Sequence, residues 1–280
     1  TLPSGSGLAG QTVSTFQIGK YEVTWNEWQE VRTWAVNNGY SDLQLVGSGA
    51  SGSHPVANVS WYDVVKWCNA KSEKEGVTPV YQVNGATYKT GKNVPTVNSA
   101  ANGYRLPSEK EWEWAARGGV SSKGYTYSGS NDVNAVAWYY GNSGSAAHPV
   151  GTKAANELGI YDMSGNALEW CADIVSGSYR RLRGGSWSDG ASYTTVASRG
   201  VGNGNPDNRN GSVGFRLARN SSGGSSSGGS SSAPTPEMIT VQGGTLPSGS
   251  GLAGQTVSTF QIGKYEVSWE EWRTVRTWAV

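Results

Sequence analysis

Hydrophobic residues recur at helical spacing in three segments of the chain. The first segment, "TWNEWQEVRTWAV", begins at Thr24 and carries an apolar stripe formed by Trp25, Trp28, Val31 and Ala35. Side chains three and four residues apart lie on one face of a helix. The pattern therefore predicts an amphipathic helix that starts at Thr24.

Two further segments add capping signals to the same spacing. In "SWYDVVKWCNAKSEKEG", Ser60 is placed to cap a helix and Asp63 stands at the capping-box position, and a glycine follows the helix. In "SEKEWEWAARGG", Ser108 and Glu111 form the corresponding box. Such a box satisfies free backbone N–H groups at a helix start. Both segments are predicted to be helices.

Outside these helices the chain shows short β-like runs, such as "PVYQVNGATYKT" and "GYTYSG", among Gly, Asn and Ser. The run "EMITVQGG" predicts another strand and turn beginning at Glu237. No long alternation of strands and helices is present. The pattern predicts an α+β fold with much irregular structure.

The chain repeats its own beginning. Residues 245–280 match residues 1–36 except at four positions, and these are Thr24/Ser268, Asn26/Glu270, Gln29/Arg273 and Glu30/Thr274. A polar linker, "NSSGGSSSGGSSSAPTP", covers residues 220–236. We therefore predict a domain at 1–219, a linker at 220–236, and the first strand and helix of a second copy at 237–280. The repeat favours a window cut from a longer tandem array.

Composition narrows the function. The 22 basic residues balance 21 acidic residues, so no charge surface for nucleic acid is expected. No apolar run is long enough to span a membrane. Thirteen Trp residues predict a core whose indole N–H groups are hydrogen-bonded. Cys68 and Cys171 are compatible with one disulfide or with two buried thiols.

Six motifs in register carry a family resemblance. They are "FQIGKYEVTWNEW", "PVANVSWYDVVKWC", "YRLPSEKEWEWAARGG", "NELGIYDMSGNALEW", "RRLRGGSW" and "GFRLAR". Together they resemble the formylglycine-generating enzyme, or sulfatase-modifying factor, superfamily, from Phe16 to Arg219. The resemblance implies a C-type-lectin-like α+β fold. Because members include oxidases, sulfoxide synthases and non-catalytic binding proteins, it implies the fold more firmly than the activity.

The resemblance argues against an enzyme. In the oxidases, two cysteines after the "RGGS" motif bind copper, and the matching positions here hold Asp189 and Thr194. Neither side chain offers the soft thiolate that Cu(I) prefers. The sulfoxide synthases need a histidine cluster for iron, whereas His54 and His148 stand alone, and His54 is expected to form a loop hydrogen bond. We predict no copper, no iron and no catalysis.

The resemblance also implies a structural calcium ion. The family loop that matches "YDMSGNALEW" surrounds calcium with oxygens, and its positions here are Asp162, Gly165, Ala167 and Glu169. In the alternative interpretation, Asp162 makes a local turn and Glu169 pairs with an arginine. Arg105, Arg181 and Arg183 are expected to pair with acids or carbonyls inside the core.

A ligand-binding face is the second implication. The segment "GVGNGNPDNRNGS" suits simple turns. In retroelement-diversified relatives, the same region displays a binding surface. The residues that would form such a face for a glycan or protein are Trp187, Asp189, Tyr193, Arg199, Asn203, Asn208 and Arg209.

The favoured hypothesis is a non-catalytic structural module of an extracellular or cell-surface protein. Its partners would be copies of itself, joined head to tail or by strand donation into a filament. The predicted assembly residues are Glu237, Met238, Ile239, Val241, Phe260, Ile262, Tyr265, Val267, Trp269 and Trp272. Sequons at Asn58, Asn210 and Asn220 and the Ser-rich linker suggest glycosylation. The alternatives are a lectin-like binding module and, less favoured, an oxidase-type enzyme.

Overall fold

The computed structural model describes residues 2, 6, 8–199, 203–221 and 237–242. Its helices are α1 (Trp25–Val36), α2 (Trp61–Lys74), α3 (Glu109–Ala116) and α4 (Val133–Val136). Its strands are β1 (Phe16–Gly19), β2 (Tyr81–Val83), β3 (Ala86–Thr87), β4 (Thr96–Val97), β5 (Leu168–Ser176), β6 (Tyr179–Arg183), β7 (Asn203–Gly204), β8 (Val213–Gly214), β9 (Ala218–Asn220) and β10 (Met238–Val241). The predicted α+β class is confirmed.

The three predicted helices are present, and the capping boxes predicted for α2 and α3 form. Thr24 caps α1 by accepting a hydrogen bond from the Glu27 backbone N–H, and the stripe of Trp28, Val31 and Ala35 is buried. Trp25 differs from the prediction because it is only half-buried. Local capping chemistry is therefore enough to place the start of this helix.

Helix α2 is buried nearly all round, which its amphipathic stripe did not predict. Its capping box joins Ser60 and Asp63 in both directions. Lys66 and Lys71 are each 2% exposed, and their ammonium groups lie 2.8 and 2.6 Å from the carboxylates of Asp42 and Glu75. Pairing with acids is what lets long cationic side chains lie in an interior.

Three small sheets complete the fold. Their strand orders are β10-β1-β9, β3-β2-β4 and β7-β6-β5-β8. The predicted run "PVYQVNGATYKT" forms the β2–β3 hairpin, in which Asn84 and Gly85 turn the chain at φ angles of 52° and 78°. Positive φ at both turn positions is typical of the Asn-Gly hairpin turn.

The strand prediction was wrong for "GYTYSG". This run forms a single bridge between Tyr127 and Ser130 rather than a strand. Conversely, the β5–β6 hairpin was not predicted. Strand β6 contains three arginines, of which Arg183 is fully buried and bonded to Glu113 at 2.7 Å. A strand buried through ion pairs lacks the apolar alternation that reveals strands in a sequence.

Indole rings fill much of the core, as the composition predicted. Trp28 and Trp67 stack with ring centroids 5.4 Å apart, and both pack edge-on against Phe215. Trp28 Nε1 donates to the Val46 carbonyl, and Trp67 Nε1 donates to the Trp28 carbonyl. The prediction that buried indoles are hydrogen-bonded is confirmed for this pair.

The predicted pairing of Arg105, Arg181 and Arg183 is also confirmed. Arg105 forms two hydrogen bonds to Glu111 of α3, at 2.7 and 2.8 Å. Arg181 pairs with Glu109 at 3.1 Å. Helix α3 thus supplies carboxylates to arginines from separate segments.

A first test uses the Glu111 pair. Burial alone would raise the pKa of Glu111, but the hydrogen bonds and charge of Arg105 outweigh burial and lower it below 4.5. A carboxylate whose folded pKa is lowered stabilises the fold above its unfolded pKa and loses that effect as pH falls through the folded value. We expect Glu111→Gln to reduce the free energy of unfolding by about 1–3 kcal/mol at pH 7.

The measurement is chemical denaturation at pH 7 and at a series of values below 4.5. The difference between wild type and Glu111→Gln should shrink through the acid series. Glu30→Gln is the matched control because Glu30 forms an exposed pair with Lys74. A difference that stays constant with pH would contradict the assignment.

Candidate functional site

The two positions that match the oxidase cysteines serve local turns. The Asp189 carboxylate accepts hydrogen bonds from the backbone N–H and hydroxyl of Ser186, at 2.9 and 2.6 Å. The Thr194 hydroxyl is buried and donates to the Ala191 carbonyl at 3.0 Å. Both side chains thus hold the loop that follows β6.

The two cysteines are free and buried. Cys68 lies in α2 and Cys171 in β5, and no disulfide joins them. Burial raises the pKa of both thiols above their ordinary value. Since the thiolate is the reactive form, both cysteines are chemically quiet.

The two histidines make loop contacts. The Nδ1 atom of His54 lies 2.7 Å from the Ser51 hydroxyl, which confirms the predicted loop hydrogen bond. His148 stacks on Trp138 with a centroid distance of 3.7 Å, and its Nε2 atom lies 2.8 Å from the Ser143 carbonyl oxygen. Burial, and then the charge of His148, lower the pKa of His54.

The loop predicted to hold calcium is tightly turned. Asp162, Gly165 and Asn166 have φ angles of 57°, 77° and 61°. At Gly165 a Cβ atom would collide with the Trp138 carbonyl, so this position requires glycine. The Asp162 carboxylate accepts from the Gly151 backbone N–H at 2.7 Å. The loop is therefore fixed by backbone geometry and by a buried carboxylate that bonds to the main chain.

Glu169 is held by an arginine at the same site. Both residues of the Glu169–Arg216 pair are fully buried, and their shortest N–O distance is 2.7 Å. Trp112 Nε1 donates to the second Glu169 oxygen at 2.8 Å. The arrangement matches the alternative interpretation of the sequence, in which this glutamate pairs with an arginine.

Sequence reasoning missed a third buried carboxylate, Glu22. Its two oxygens accept from the Asn166 amide at 2.6 Å and from the Ala167 backbone N–H at 2.8 Å. Burial, followed by the charges of Asp162 and Glu169, raises the pKa of Glu22 well above its ordinary value. Burial also raises the pKa of Asp162 to about 6. The only signal in the sequence is a lone acid between Tyr21 and the buried Val23.

The charge at this site is unbalanced. Three buried carboxylates, Glu22, Asp162 and Glu169, face the single guanidinium of Arg216. A cation with a preference for oxygen would relieve this excess of negative charge, so the donor chemistry fits calcium. Within the described ranges, however, no three His, Cys, Asp or Glu side chains are grouped to hold a metal by themselves. An ion here would rely on loop carbonyls as well.

The residues predicted for a ligand face are held by different elements. Trp187 and Asp189 share the turn after β6, and the exposed Tyr193 follows in a short 3₁₀ helix. Arg199 pairs with Glu109 of α3 and Arg209 pairs with Asp63 of α2. Asn203 begins β7, and Asn208 lies on an exposed loop. The face stays a prediction.

Only part of the predicted assembly segment lies within the described residues. Glu237, Met238, Ile239 and Val241 are described, and the last three belong to β10. The residues Phe260, Ile262, Tyr265, Val267, Trp269 and Trp272 lie outside the described residues. The domain boundaries stay predictions, but β10 pairs with β1, in the domain that precedes the linker.

No helix among the described residues is long and apolar enough to cross a membrane.

Comparison with known proteins identifies relatives of several kinds. The chain is 39% identical over 211 residues to "Chaperone protein LppX" of Paenibacillus barcinonensis, covering 63% of this chain and 70% of that protein. It is 32% identical to the formylglycine-generating enzyme of Streptomyces coelicolor, covering 64% and 65% of the two chains. It is 35% identical to "Inactive C-alpha-formylglycine-generating enzyme 2" of Bos taurus, covering 42% of this chain and less than half, 45%, of that protein.

Solved structures give the same fold. "Treponema denticola variable protein 1" matches with a TM-score of 0.60 and 36% identity, over 73% of this chain and 84% of that chain. CarF matches with a TM-score of 0.64 and 33% identity, over 73% and 86%. The structural similarity to both neighbours supports the predicted α+β fold.

The match to a protein family covers the loop of Asp162, the turns of Asp189 and Thr194 and both cysteines, and it ends before β10. Residues 7–221 match the description "Sulfatase-modifying factor enzyme 1-like domain". The chain therefore belongs to the family of sulfatase-modifying factor, or formylglycine-generating enzyme-like, domains.

Proposed function

We propose that this chain is a non-catalytic assembly module whose copies join by exchanging strand β10. The observation that carries the proposal is the antiparallel pairing of β10, which follows the linker, with β1, which lies in the domain before it. Asp189 and Thr194 support the non-catalytic part because they stand where oxidases carry copper-binding cysteines. A relative named as an inactive enzyme is consistent with it.

Strand β10 is anchored along one backbone edge, by pairing with β1, and through one buried side-chain face. It pairs residue by residue with β1, from Phe16 opposite Val241 to Gly19 opposite Met238. Ile239 and Val241 are 7% and 0% exposed and pack in the same core cluster as Phe16. The strand thus completes a hydrophobic core rather than lying on a finished surface.

Contacts at both ends of β10 fix its register. Lys20 bonds Glu237 twice, through its backbone N–H to the carbonyl at 2.9 Å and through its ammonium to the carboxylate at 2.8 Å. At the other end, Trp114 Nε1 donates to the Gln242 carbonyl at 3.1 Å. A one-residue slip would expose Ile239 and Val241 and break these contacts.

The docking of so short a strand is close to energetic balance. Burying Ile239 and Val241 contributes about 3–6 kcal/mol. The net gain from its backbone hydrogen bonds is about 2–4 kcal/mol. Fixing the backbone of four residues costs about 4–8 kcal/mol. A strand held by a margin of a few kcal/mol can leave the β1 edge of one copy and pair with the β1 edge of another. We call this edge, with the core side chains beside it, the acceptor.

The connection is long enough to permit this exchange. Strands β9 and β10 flank β1, so they lie about 10 Å apart. The connecting residues 221–237 number 17. A chain of this length reaches about 60 Å when extended. The linker is therefore several times longer than the return to the same body requires, and a neighbouring copy lies within its reach.

The sequence offers β10 two equivalent acceptors. The β1 sequence "FQIG", Phe16–Gly19, returns unchanged at residues 260–263. The same strand therefore fits the domain before the linker and the domain that begins after it. When β10 pairs with the β1 edge of the domain before the linker, it links that domain to the next copy. Exchange of an identical element between copies is called domain swapping. Such an array suits an extracellular or cell-surface protein, and glycosylation at Asn58, Asn210 and Asn220 belongs to the same proposal.

Disulfide trapping tests the exchange. Gln17 and Thr240 lie directly opposite each other in the β1–β10 pair. Cysteines at directly opposed positions of an antiparallel pair are close enough to bridge. We expect the variant carrying Gln17→Cys and Thr240→Cys to give a ladder of covalent oligomers in non-reducing electrophoresis. A product that contains only the monomer with an internal crosslink would rule out exchange between chains.

Two controls accompany the trap. Gln17→Cys alone can give at most a dimer, and the buried Cys68 and Cys171 do not compete. Adding Val241→Asp to the trap variant should abolish the ladder, since a charge at a fully buried position prevents docking. Thr240 points to the other face, so Thr240→Asp in an otherwise unchanged chain should leave the melting temperature nearly unchanged while Val241→Asp lowers it.

The non-catalytic part has its own test. We expect no oxygen-dependent conversion of a sulfatase-type cysteine peptide, with or without added Cu(I), because the matching positions lack thiols. Mass spectrometry of the peptide provides the readout, and the formylglycine-generating enzyme of Streptomyces coelicolor is the positive control. Detection of the converted peptide with this chain would overturn the proposal.

The proposal also includes a structural calcium ion at the loop of Asp162, Gly165, Ala167 and Glu169. The excess of buried negative charge supports it, with Glu22 as a further contributor. When bound, the ion would supply positive charge to the loop. Glu169 would remain the partner of Arg216.

Calorimetry on chelator-treated protein tests the ion. We expect heat of calcium binding and a calcium-dependent rise in melting temperature, both of which Asp162→Asn removes. Asp132→Asn is the control, because Asp132 is an exposed residue that caps α4. Absence of both signals in the wild type would leave the ion pair as the sole stabilising arrangement.

A further inference from the structure

A polar cleft lies over the first turns of α2, away from β10. It has a volume of about 580 Å³, within the range of small-molecule sites. One wall is the loop of Gly91 and Lys92, and the other is the loop of Asp207, Asn208 and Arg209. The cleft thus lies between two loops supported by one helix.

Three ion pairs line the cleft. Lys66 pairs with Asp42 at 2.8 Å, Arg209 pairs with Asp63 at 2.8 Å, and Lys92 pairs with Asp207 at 2.7 Å. Three cations therefore match three anions, and the lining is neutral as a whole. A charged ligand would have to displace one member of a pair.

The inner part of the cleft is preorganised. Lys66 is 2% exposed, and its ammonium also donates to the Gly91 carbonyl at 3.0 Å. The Gly91 backbone N–H donates to Asp42 at 2.6 Å. On the other wall, the Trp61 backbone N–H donates to the Pro206 carbonyl at 3.1 Å. These bonds hold both loops against α2.

The mouth of the cleft, by contrast, is easily rearranged. The Lys92–Asp207 pair joins the two loops, and its side chains are 70% and 47% exposed. An exposed pair of this kind contributes little to stability, because water and salt screen its charges. An ammonium has three N–H donors and a carboxylate has about four acceptor positions. Their single mutual hydrogen bond therefore leaves the Lys92 ammonium with free donors and the Asp207 carboxylate with free acceptor positions for a ligand.

We propose that this cleft binds a neutral polyhydroxylated ligand, a saccharide. A hydroxyl group donates one hydrogen bond and accepts others, so it can bond to the acid and the base of one pair together. Neighbouring hydroxyls of a sugar ring can insert between Lys92 and Asp207 without leaving either charge unpaired. Bonds to charged partners are the stronger class of hydrogen bond. Asn208 adds an amide with both donor and acceptor groups.

Competing ligand classes fit less well. An apolar molecule would desolvate charged walls without replacing their hydrogen bonds. An anion would gain from Lys92 and Arg209 but would meet the carboxylates of Asp207 and Asp63. The inference does not depend on strand exchange, since its residues lie apart from β1 and β10.

Saturation-transfer NMR on the full chain tests the proposal. The probes are glucose, galactose, mannose, N-acetylglucosamine and N-acetylgalactosamine, with inorganic phosphate as a competitor. We expect saturation transfer to at least one sugar, with no displacement by phosphate. Lys92→Ala and Asp207→Ala should each weaken binding about tenfold, which equals about 1.4 kcal/mol.

Lys123→Ala is the matched control, because Lys123 is an exposed lysine that does not line the cleft. It should bind the sugar as the wild type does. The two cleft variants change exposed side chains, so their melting temperatures should stay close to that of the wild type. The proposal is overturned if no sugar receives saturation, if phosphate displaces the sugar, or if the cleft variants bind unchanged.

Discussion

The buried ion pair between Arg216 and Glu169 connects more parts of this domain than any other single contact described above. The Arg216 guanidinium donates hydrogen bonds to Glu169 of β5, to the Gly19 carbonyl of β1 and to the Tyr161 carbonyl. Glu169 in turn accepts from Trp112 of α3. Loss of one partner of a buried pair leaves an uncompensated charge, which costs about 3–5 kcal/mol. The first strand, the longest strand and the third helix are therefore held by one charge interaction.

This pair also explains why the acidic loop tolerates its excess of charge. Arg216 offsets one of three carboxylates, and backbone and amide N–H groups offset part of the others. The remaining penalty appears as the raised pKa of Glu22 and Asp162. Since a buried charge without compensation is unfavourable, protonation of these carboxyls is favoured over leaving all three charged.

Local signals in the sequence predicted helices α1, α2 and α3 but not the short α4, whereas long-range pairs decided the rest. Ser60 with Asp63 and Ser108 with Glu111 lie three residues apart, so their roles can be predicted without the fold. Strand β6 was missed because its three arginines break the apolar alternation of a strand, and the acidic partners of Arg181 and Arg183 lie on α3. Glu22 was missed because its partners Asn166 and Ala167 are 144 and 145 residues away. Sequence spacing carries no information about such pairs.

The position of β10 in its sheet has a consequence for assembly. Strand β1 lies between β9 and β10, so removal of β10 would expose the β1 edge and the apolar side chains of Phe16 and Ile18. An acceptor of this kind is stable only when some strand occupies it. Under the proposed exchange, each donated strand would be replaced by a neighbour's strand, so the acceptors inside an array would stay filled. The two arrangements then have nearly equal contact energy, and linker reach together with the local concentration of copies decides between them. If copies of the chain lie close together, the repeated acceptor sequence and the long linker would therefore favour linkage over return of the strand to its own body.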